Sequence, residues 1–286
     1  MASSIREVFR REGFITPIRV LSGVEAQRAF QGFENYRIKY GVNGVLQGDL
    51  RFRVHLLAGW AQEIVQHPVL VDHVQKALGS TDIVCWSTDL NIKPAQSQSY
   101  FSWHQDSTYA GLEPADQVLT AWVALTPSKA ESGCVTFLPR THFQQYEHEE
   151  MASTHNLLAF GQRIKDKDLI EECKERQVLA ELNPGNASLH SFRCIHGGGP
   201  NASVQDRVGL AIRYMTSRVS KIEAVAKERV TFVSGMSSSD SSNFDLEPNL
   251  NHLPDYDPVR WEQHQISMSL ERQNYFKGTE ETNCFK

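Results

Sequence analysis

Residues 185–215 read GNASLHSFRCIHGGGPNASVQDRVGLAIRYM, and the reading of this stretch decides the fold. A run rich in β-branched and aromatic residues ends at His196. Three glycines and a proline follow, and a second apolar run begins at Arg207. Runs of this kind, bounded by Gly, Pro, Asn and Asp, read as strands. The same texture recurs in DIVCWSTDLNIKP (82–94), VLTAWVALTP (118–127) and GCVTFLP (133–139). Several short strands separated by turn signals predict a β-sandwich or barrel rather than βαβ units. If the two runs of 185–215 pair antiparallel about the glycine-rich turn, His196 stands directly opposite Arg207, about 5 Å away at Cβ. The same register sets His190 opposite Arg213. Arg207 and Arg213, an even number apart, then share one face roughly 20 Å apart along the strand.

Upstream the chain is mostly helical. Residues 3–12 form an amphipathic pattern with Ile5, Val8 and Phe9 on one side, GFITPIRVL (13–21) reads as a short strand, and Ser22 can cap a helix beginning near Val24. RVHLLAGWAQEIVQHPVLVDHVQKALG (53–79) reads as two helices broken at Pro68 and closed by Gly79. Residues 143–177 are polar, include a predicted helix QRIKDKDLIEECKERQ (162–177), and are too long for a hairpin loop, so they form a lid or a surface insertion. SGMSSSDSSNFD (234–245) reads as a flexible Ser-rich loop, and VRWEQHQISMSLERQNYF (259–276) as a closing helix. With no repeat and no linker, residues 1–286 are expected to form one domain: helical over about 1–80, a β core over about 81–233 interrupted by 143–177, and a terminal loop and helix over 234–286.

A formal charge of −5 without any long basic run makes nucleic acid a poor partner. No apolar run reaches membrane-spanning length, the first residues lack a signal peptide's apolar centre, and NCFK is no peroxisomal or retention signal. Cys85, Cys134, Cys173, Cys194 and Cys284 are odd in number, widely spaced and without C-x-x-C, which argues against a disulfide framework or a cysteine zinc site. These features predict a soluble cytoplasmic protein with reduced thiols, a monomer or simple homo-oligomer.

The chemistry centres on YFSWHQDSTYAG (100–111). His104 and Asp106 are two apart, so on an extended segment both side chains leave one face. A histidine and a carboxylate suit iron, manganese or zinc. H-x-D alone is a weak signal; His196 at a predicted strand end strengthens it. Trp122 sits in an apolar strand and reads equally as core or pocket wall. Arg213 reads as a buried ion-pair partner. Tyr109 and Gln105 flank the ligands, as substrate contacts or as supports. HEEMASTH (148–155) is not H-E-x-x-H, so His148 and His155 read as solvated, as does His142.

WHQD (103–106), TAWVALTP (120–127), GCVTFLPRTH (133–142) and ASLHSFRCIHGGGPN followed by RVGLAIRYM resemble the phytanoyl-CoA dioxygenase-like family in order and spacing. The resemblance runs from FRREGFITPIRVL (9–21) to about residue 247. It implies a double-stranded β-helix with the N-terminal helices packed on it, and a non-haem Fe(II)- and 2-oxoglutarate-dependent oxygenase. Carried over by position, it implies His104, Asp106 and His196 as the iron ligands and catalytic triad. It implies Arg207 as the partner of the distal 2-oxoglutarate carboxylate, Trp122 as a wall of the cosubstrate pocket, and Lys93 as a further cosubstrate contact. Two His and one carboxylate leave three open positions on iron. A guanidinium offers a carboxylate a planar, paired, permanently charged partner. Two positions depart from the family: Gly198 stands where many members have Ser, and Arg140 where Gly is usual.

The resemblance implies hydroxylation of a C–H bond of a small-molecule metabolite with O2, releasing succinate and CO2, with ascorbate as activator. Asp106 speaks against a halogenase, in which Ala or Gly takes that place. A non-catalytic metabolite- or partner-binding protein of the same fold is the alternative, and a complete triad argues against it. Zinc hydrolysis would leave Arg207 unexplained. No basic footprint for CoA phosphates is visible, which favours a small substrate.

Overall fold

The structure is a computed structural model that describes residues 3–46, 48–108, 110–158, 161–222, 229–235 and 244–247. It begins with α1 (Ile5–Glu12), β1 (Phe14–Arg19), α2 (Gly23–Tyr40), α3 (Gly59–Val65) and α4 (Pro68–Leu78). Ser4 and Ser22 each close a capping box, with Glu7 and Glu25 returning a carboxylate to the cap N–H. Pro68 opens α4, where its missing N–H is harmless, and Gly79 ends it in the left-handed conformation. Residues 54–56, expected to be α-helical, form a single 3-10 turn instead, because Arg53 turns the chain at φ 49°.

The β region comprises β2 (Ile83–Lys93), β3 (Phe101–His104), β4 (Leu112–Glu113), β5 (Val118–Ala124), β6 (Thr136–Phe137), β7 (His148–Glu150), β8 (Gln162–Ile164), β9 (Val178–Leu179), β10 (Asn186–Ser191), β11 (His196–Gly198), β12 (Arg207–Thr216), β13 (Ser220–Lys221), β14 (Arg229–Ser234) and β15 (Asp245–Leu246), with α5 (Lys167–Lys174) between β8 and β9. The major sheet runs β1-β10-β5-β12-β2-β14-β15 and the minor sheet β3-β11-β6-β9. The pairs are antiparallel except β14–β15. The fold is a double-stranded β-helix with N-terminal helices packed on it.

Alternation along the central strands explains the layering. Leu119, Ala121 and Val123 of β5 and Val208, Leu210, Ile212 and Tyr214 of β12 join Phe33, Trp60, Leu70 and Val74 of the helices in one core. Each Leu or Phe so buried contributes about 1.5–3 kcal/mol. The intervening residues face the barrel, where Trp122, Ala124 and Ala211 meet Val135 and Phe137 of the minor-sheet side. Both faces of β5 and β12 are thus covered, so they read as continuous apolar runs.

Two expectations are corrected. The run ending at His196 is two strands: β10 ends at Ser191 and β11 begins at His196. Residues 192–195 carry the chain from the major to the minor sheet. The expected pairing across the glycine-rich turn is therefore absent. His196 pairs with His104 and Phe137, Arg207 with Lys93, and Arg213 with Ser87 and Thr120. The glycine-rich turn bridges two sheets, which a hairpin register cannot describe. The predicted helix at 162–177 is likewise strand β8, then α5 capped by Asp166.

The insertion packs on the outside of the minor sheet. The Ser102 hydroxyl donates to Gln162 O, and Asn156 Nδ2 donates to Ser102 Oγ at 3.0 Å. Much of the Ser-rich loop, residues 236–243, and the expected closing helix at 259–276 lie outside the described residues.

Candidate active site

Three ligand-type side chains converge inside the barrel. His104, Asp106 and His196 are buried, and one donor atom of each lies within 4.8 Å of those of the other two. They do not share one strand: β3 ends at His104, and Asp106 opens a 3-10 turn, Asp106–Thr108, so the turn aims the carboxylate. His196 arrives directly across from His104. Each imidazole is held by its own strand. His104 Nδ1 donates to Ser102 O at 2.7 Å, and His196 Nδ1 donates to Cys194 O at 3.0 Å. A carbonyl can only accept, so both Nε2 lone pairs face the centre. Asp106 Oδ1 stands 3.7 Å from Nε2 of His104 and 4.0 Å from Nε2 of His196. Burial raises the Asp106 carboxyl, but the Arg213 guanidinium and the histidines hold it well below the usual carboxylate range. Burial, with His104 and His190 nearby, holds His196 well below its usual value, so it is neutral. An ionised carboxylate and neutral imidazoles are the protonation states metal binding requires.

A second cluster lies one strand pair further along. Thr120, which touches Asp106, and Trp122 are two apart on β5, about 7 Å along one face. The Arg207 guanidinium lies 5.0 Å from the Trp122 ring centroid and 5.9 Å from that of Phe101. Trp122 Nε1 donates to Asn91 Oδ1 at 3.0 Å, which locks the indole. Gly209 makes room for it, since a Cβ there would stand 2.0 Å from a ring carbon. Arg207 is 1 % exposed, yet its Nε and Nη2 have no hydrogen-bond partner among the described residues. Its Nη1 donates to Gly133 O at 3.4 Å. Burial pulls its guanidinium down to about 10, so it stays charged at neutral pH.

Lys93, directly across from Arg207, donates to the carbonyls of Gly133 at 2.8 Å, Gly198 at 3.0 Å and Gly199. Burial and the Arg207 charge pull its ammonium down to about 6, against the pull of three carbonyls toward the charged form. A Cβ on Gly198 would stand 3.1 Å from Lys93 Nζ, so the ammonium uses the space a side chain at 198 would need. A buried guanidinium with free donors, set beside a buried amine, describes a site for an anion.

Phe101 reaches this cluster through a bulge. The register between β3 and β11 shifts between His196 and Gly198, so Phe101 and His104, three apart, both face the barrel. Sequence reasoning missed Phe101, Asn91, Thr120 and His190. Period-two spacing from Trp122 and Lys93 gives Thr120 and Asn91; nothing in the sequence marks the bulge. Arg213 forms the expected ion pair, with Asp89, although both are half-buried rather than buried. Arg140, which stands where the family usually has Gly, pairs with Glu12 at 3.1 Å on the surface. Tyr109 lies outside the described residues.

Two of the polar histidines are not solvated. His148 Nε2 accepts from Gln105 N at 3.0 Å, its Nδ1 donates to Tyr146 O at 2.9 Å, and burial pushes it down to about 4. His142 is half-buried against Arg10 O. Gln105 is fully buried. Its amide nitrogen donates to Gln144 O and Arg193 O, and its amide oxygen accepts from Tyr146 N, so it is a support rather than a substrate contact.

Comparison with known proteins agrees with this arrangement. The chain is 28% identical over 162 residues to a probable alpha-ketoglutarate-dependent hypophosphite dioxygenase of Stutzerimonas stutzeri, covering 56% of this chain and 54% of that protein. It is 24% identical over 162 residues to the peroxisomal phytanoyl-CoA dioxygenase of Bos taurus, covering 54% and 46%. The chain thus spans about half the length of the curated relatives it matches. Among solved structures, the apo non-heme monooxygenase ThoJ superposes with a TM-score of 0.81 at 27% identity, covering 97% of this chain and 99% of that one. CytC3 with Fe(II) and alpha-ketoglutarate shares the fold, with a TM-score of 0.62 at 17% identity over 85% and 93% of the two chains. The phytanoyl-CoA dioxygenase (PhyH) family pattern matches residues 9–209, a span that runs from within α1 to the first residues of β12 and holds both clusters. On that match the chain belongs to the phytanoyl-CoA dioxygenase (PhyH) family.

Proposed function

We propose that residues 1–286 form one Fe(II)- and 2-oxoglutarate-dependent oxygenase that hydroxylates a C–H bond of a small-molecule metabolite. The observation that carries this reading is the pairing of a buried His-Asp-His cluster with a buried guanidinium whose Nε and Nη2 lack acceptors. The residues fit the groups: two imidazoles and one carboxylate suit Fe(II), and the unmatched donors of Arg207 suit a carboxylate. Bound iron would supply the activation of O2 coupled to 2-oxoglutarate decarboxylation.

The chain's own residues bind, orient and exclude water. His104, Asp106 and His196 would hold the metal, with both Nδ1 protons fixed on carbonyls so that the rings do not turn. Arg207 would hold the distal carboxylate of 2-oxoglutarate through Nε and Nη2, and Lys93 packs beside it, anchored on the carbonyls of Gly133, Gly198 and Gly199. Trp122 and Phe101 wall this end of the barrel and keep water from the ion pair, which strengthens it. The absence of a basic footprint for CoA phosphates supports a small metabolite as substrate.

The described cysteines are all buried and free, and no described helix is long and apolar enough to cross a membrane. Both features support action in the cytoplasm, as a monomer or simple homo-oligomer. The test is anaerobic calorimetry of Fe(II) and 2-oxoglutarate binding, followed by succinate formation with O2 and ascorbate across a substrate panel. Substrate-stimulated succinate and a hydroxylated product are expected. Metal and 2-oxoglutarate binding without turnover across the panel would move the reading to a non-catalytic binding protein, and a chlorinated product in chloride would overturn the hydroxylase assignment.

A further inference from the structure

Asp106 has two oxygens with different surroundings. Oδ1 is the one that faces Nε2 of both histidines. Oδ2 takes a hydrogen bond of 2.6 Å from the Thr120 hydroxyl, and both residues are buried. Three strands of the major sheet set this up. In their registers, Thr120 of β5 lies directly between His190 of β10 and Arg213 of β12. All three residues face the barrel. His190 Nε2 stands 3.6 Å from Oδ2, and its ring lies 4.3 Å from the His196 ring and 5.1 Å from the Phe137 ring, centroid to centroid. Arg213 Nη2 stands 3.8 Å from Oδ1, with Nη1 tethered to Asp89.

Thr120 is thus the one member of the row within hydrogen-bond distance of the carboxylate. A carboxylate on a one-residue turn after a strand end can rotate about its last bond and offer a metal one oxygen or both. The Thr120 hydroxyl removes that freedom by occupying Oδ2. The geometry points to Thr120 as a positioning residue that makes Asp106 a one-oxygen metal ligand through Oδ1, with the Arg213 guanidinium behind it held in place by Asp89. This inference rests on the metal-site reading of His104, Asp106 and His196. It concerns which atom binds, and its readout is the metal itself.

The experiment compares the full-length protein with Thr120→Val, Thr120→Ala and Thr120→Ser. Calorimetry gives the affinity for Co(II), and the visible absorption of the Co(II) protein reports coordination number. Circular dichroism and thermal unfolding establish that each variant is folded. Val keeps the shape and removes the donor, Ala removes it without any chance of a clash, and Ser restores it. Val and Ala are expected to weaken Co(II) binding roughly 10–100-fold and to shift the Co(II) spectrum toward higher coordination, whereas Ser stays near the parent in both. Equal affinity and an unchanged spectrum in whichever of the Val and Ala variants folds would overturn the role of Thr120 while leaving the metal site in place. Loss of affinity in Ser as large as in Val would overturn it too, by tracing the effect to packing. No Co(II) binding by the parent protein would instead remove the metal-site reading on which the inference rests.

Discussion

Replacing Arg207 by Met separates what this residue does for the fold from what it does for the ligand. The guanidinium is 1 % exposed, with no acceptor for Nε and Nη2 among the described residues. An unpaired charge buried in this way costs several kcal/mol after relaxation. Met fills similar space without that cost, so the ligand-free Arg207→Met protein should unfold no lower than the parent, and at a higher temperature if repacking is complete. With 2-oxoglutarate the order reverses. Two charge-assisted hydrogen bonds at about 1.5–3 kcal/mol each set the loss at roughly 3–6 kcal/mol, or about 10²–10⁴ in Kd. A ligand at one hundred times its Kd stabilises by about 2.7 kcal/mol, roughly 4–5 °C for a chain of 286 residues. At the same concentration, a Kd raised 10²-fold or more leaves at most about 0.4 kcal/mol. Thermal unfolding with Mn(II), with and without 2-oxoglutarate, reads both effects in one experiment. A variant that keeps its 2-oxoglutarate shift, or whose ligand-free melting temperature falls by many degrees, would refute the reasoning. In the first case the anion is held elsewhere, and in the second the charge was paired after all.

Further predictions concern the surrounding residues. Lys93 is pulled down to about 6 in the folded protein from the usual lysine value of 10.5, so between those values the unfolded chain binds the extra proton. Its contribution therefore makes stability rise with pH from about 6 toward 10.5, and Lys93→Met should flatten that slope in urea unfolding at pH 7 and 9. Gln105→Leu leaves Gln144 O, Arg193 O and Tyr146 N without their partner. At about 1–3 kcal/mol per buried group, urea unfolding should show a loss of at least about 3 kcal/mol. Gly209→Ala drives a methyl into the Trp122 indole and should cost about 1–3 kcal/mol of stability. Calorimetry should also show it weakening 2-oxoglutarate binding more than Co(II) binding.

The candidate site was legible through the resemblance: WHQD, His196 and Arg207 imply the ligand set by their order and spacing, whereas H-x-D alone is a weak signal. The caps at Ser22, Pro68 and Gly79 were legible because each rests on local hydrogen bonding or a local dihedral preference. The pairing was not. A hairpin between 185–196 and 207–215 is the shortest closure of that turn, but residues 192–195 lead into the other sheet, and the partners of Arg207 and His196 come from segments far along the chain. Thr120 was hidden for a related reason. In a strand covered on both faces, a hydroxyl among Val, Leu and Ala looks like tolerated polarity until the strand beside it is known.

Gln105 sits between the two ligands of H-x-D and faces away from them. Its side chain is tied to the first residues of the insertion and to the crossing at Arg193, and its backbone N–H is tied to His148 on β7. The insertion is therefore not an interchangeable module. A chimaera that receives a foreign segment at 143–177 loses the groups that anchor the backbone between His104 and Asp106. A graft across this family would have to carry the residue at position 105 together with its docking groups, so diversification of the outer surface is coupled to the metal cluster through both the side chain and the backbone N–H of one residue.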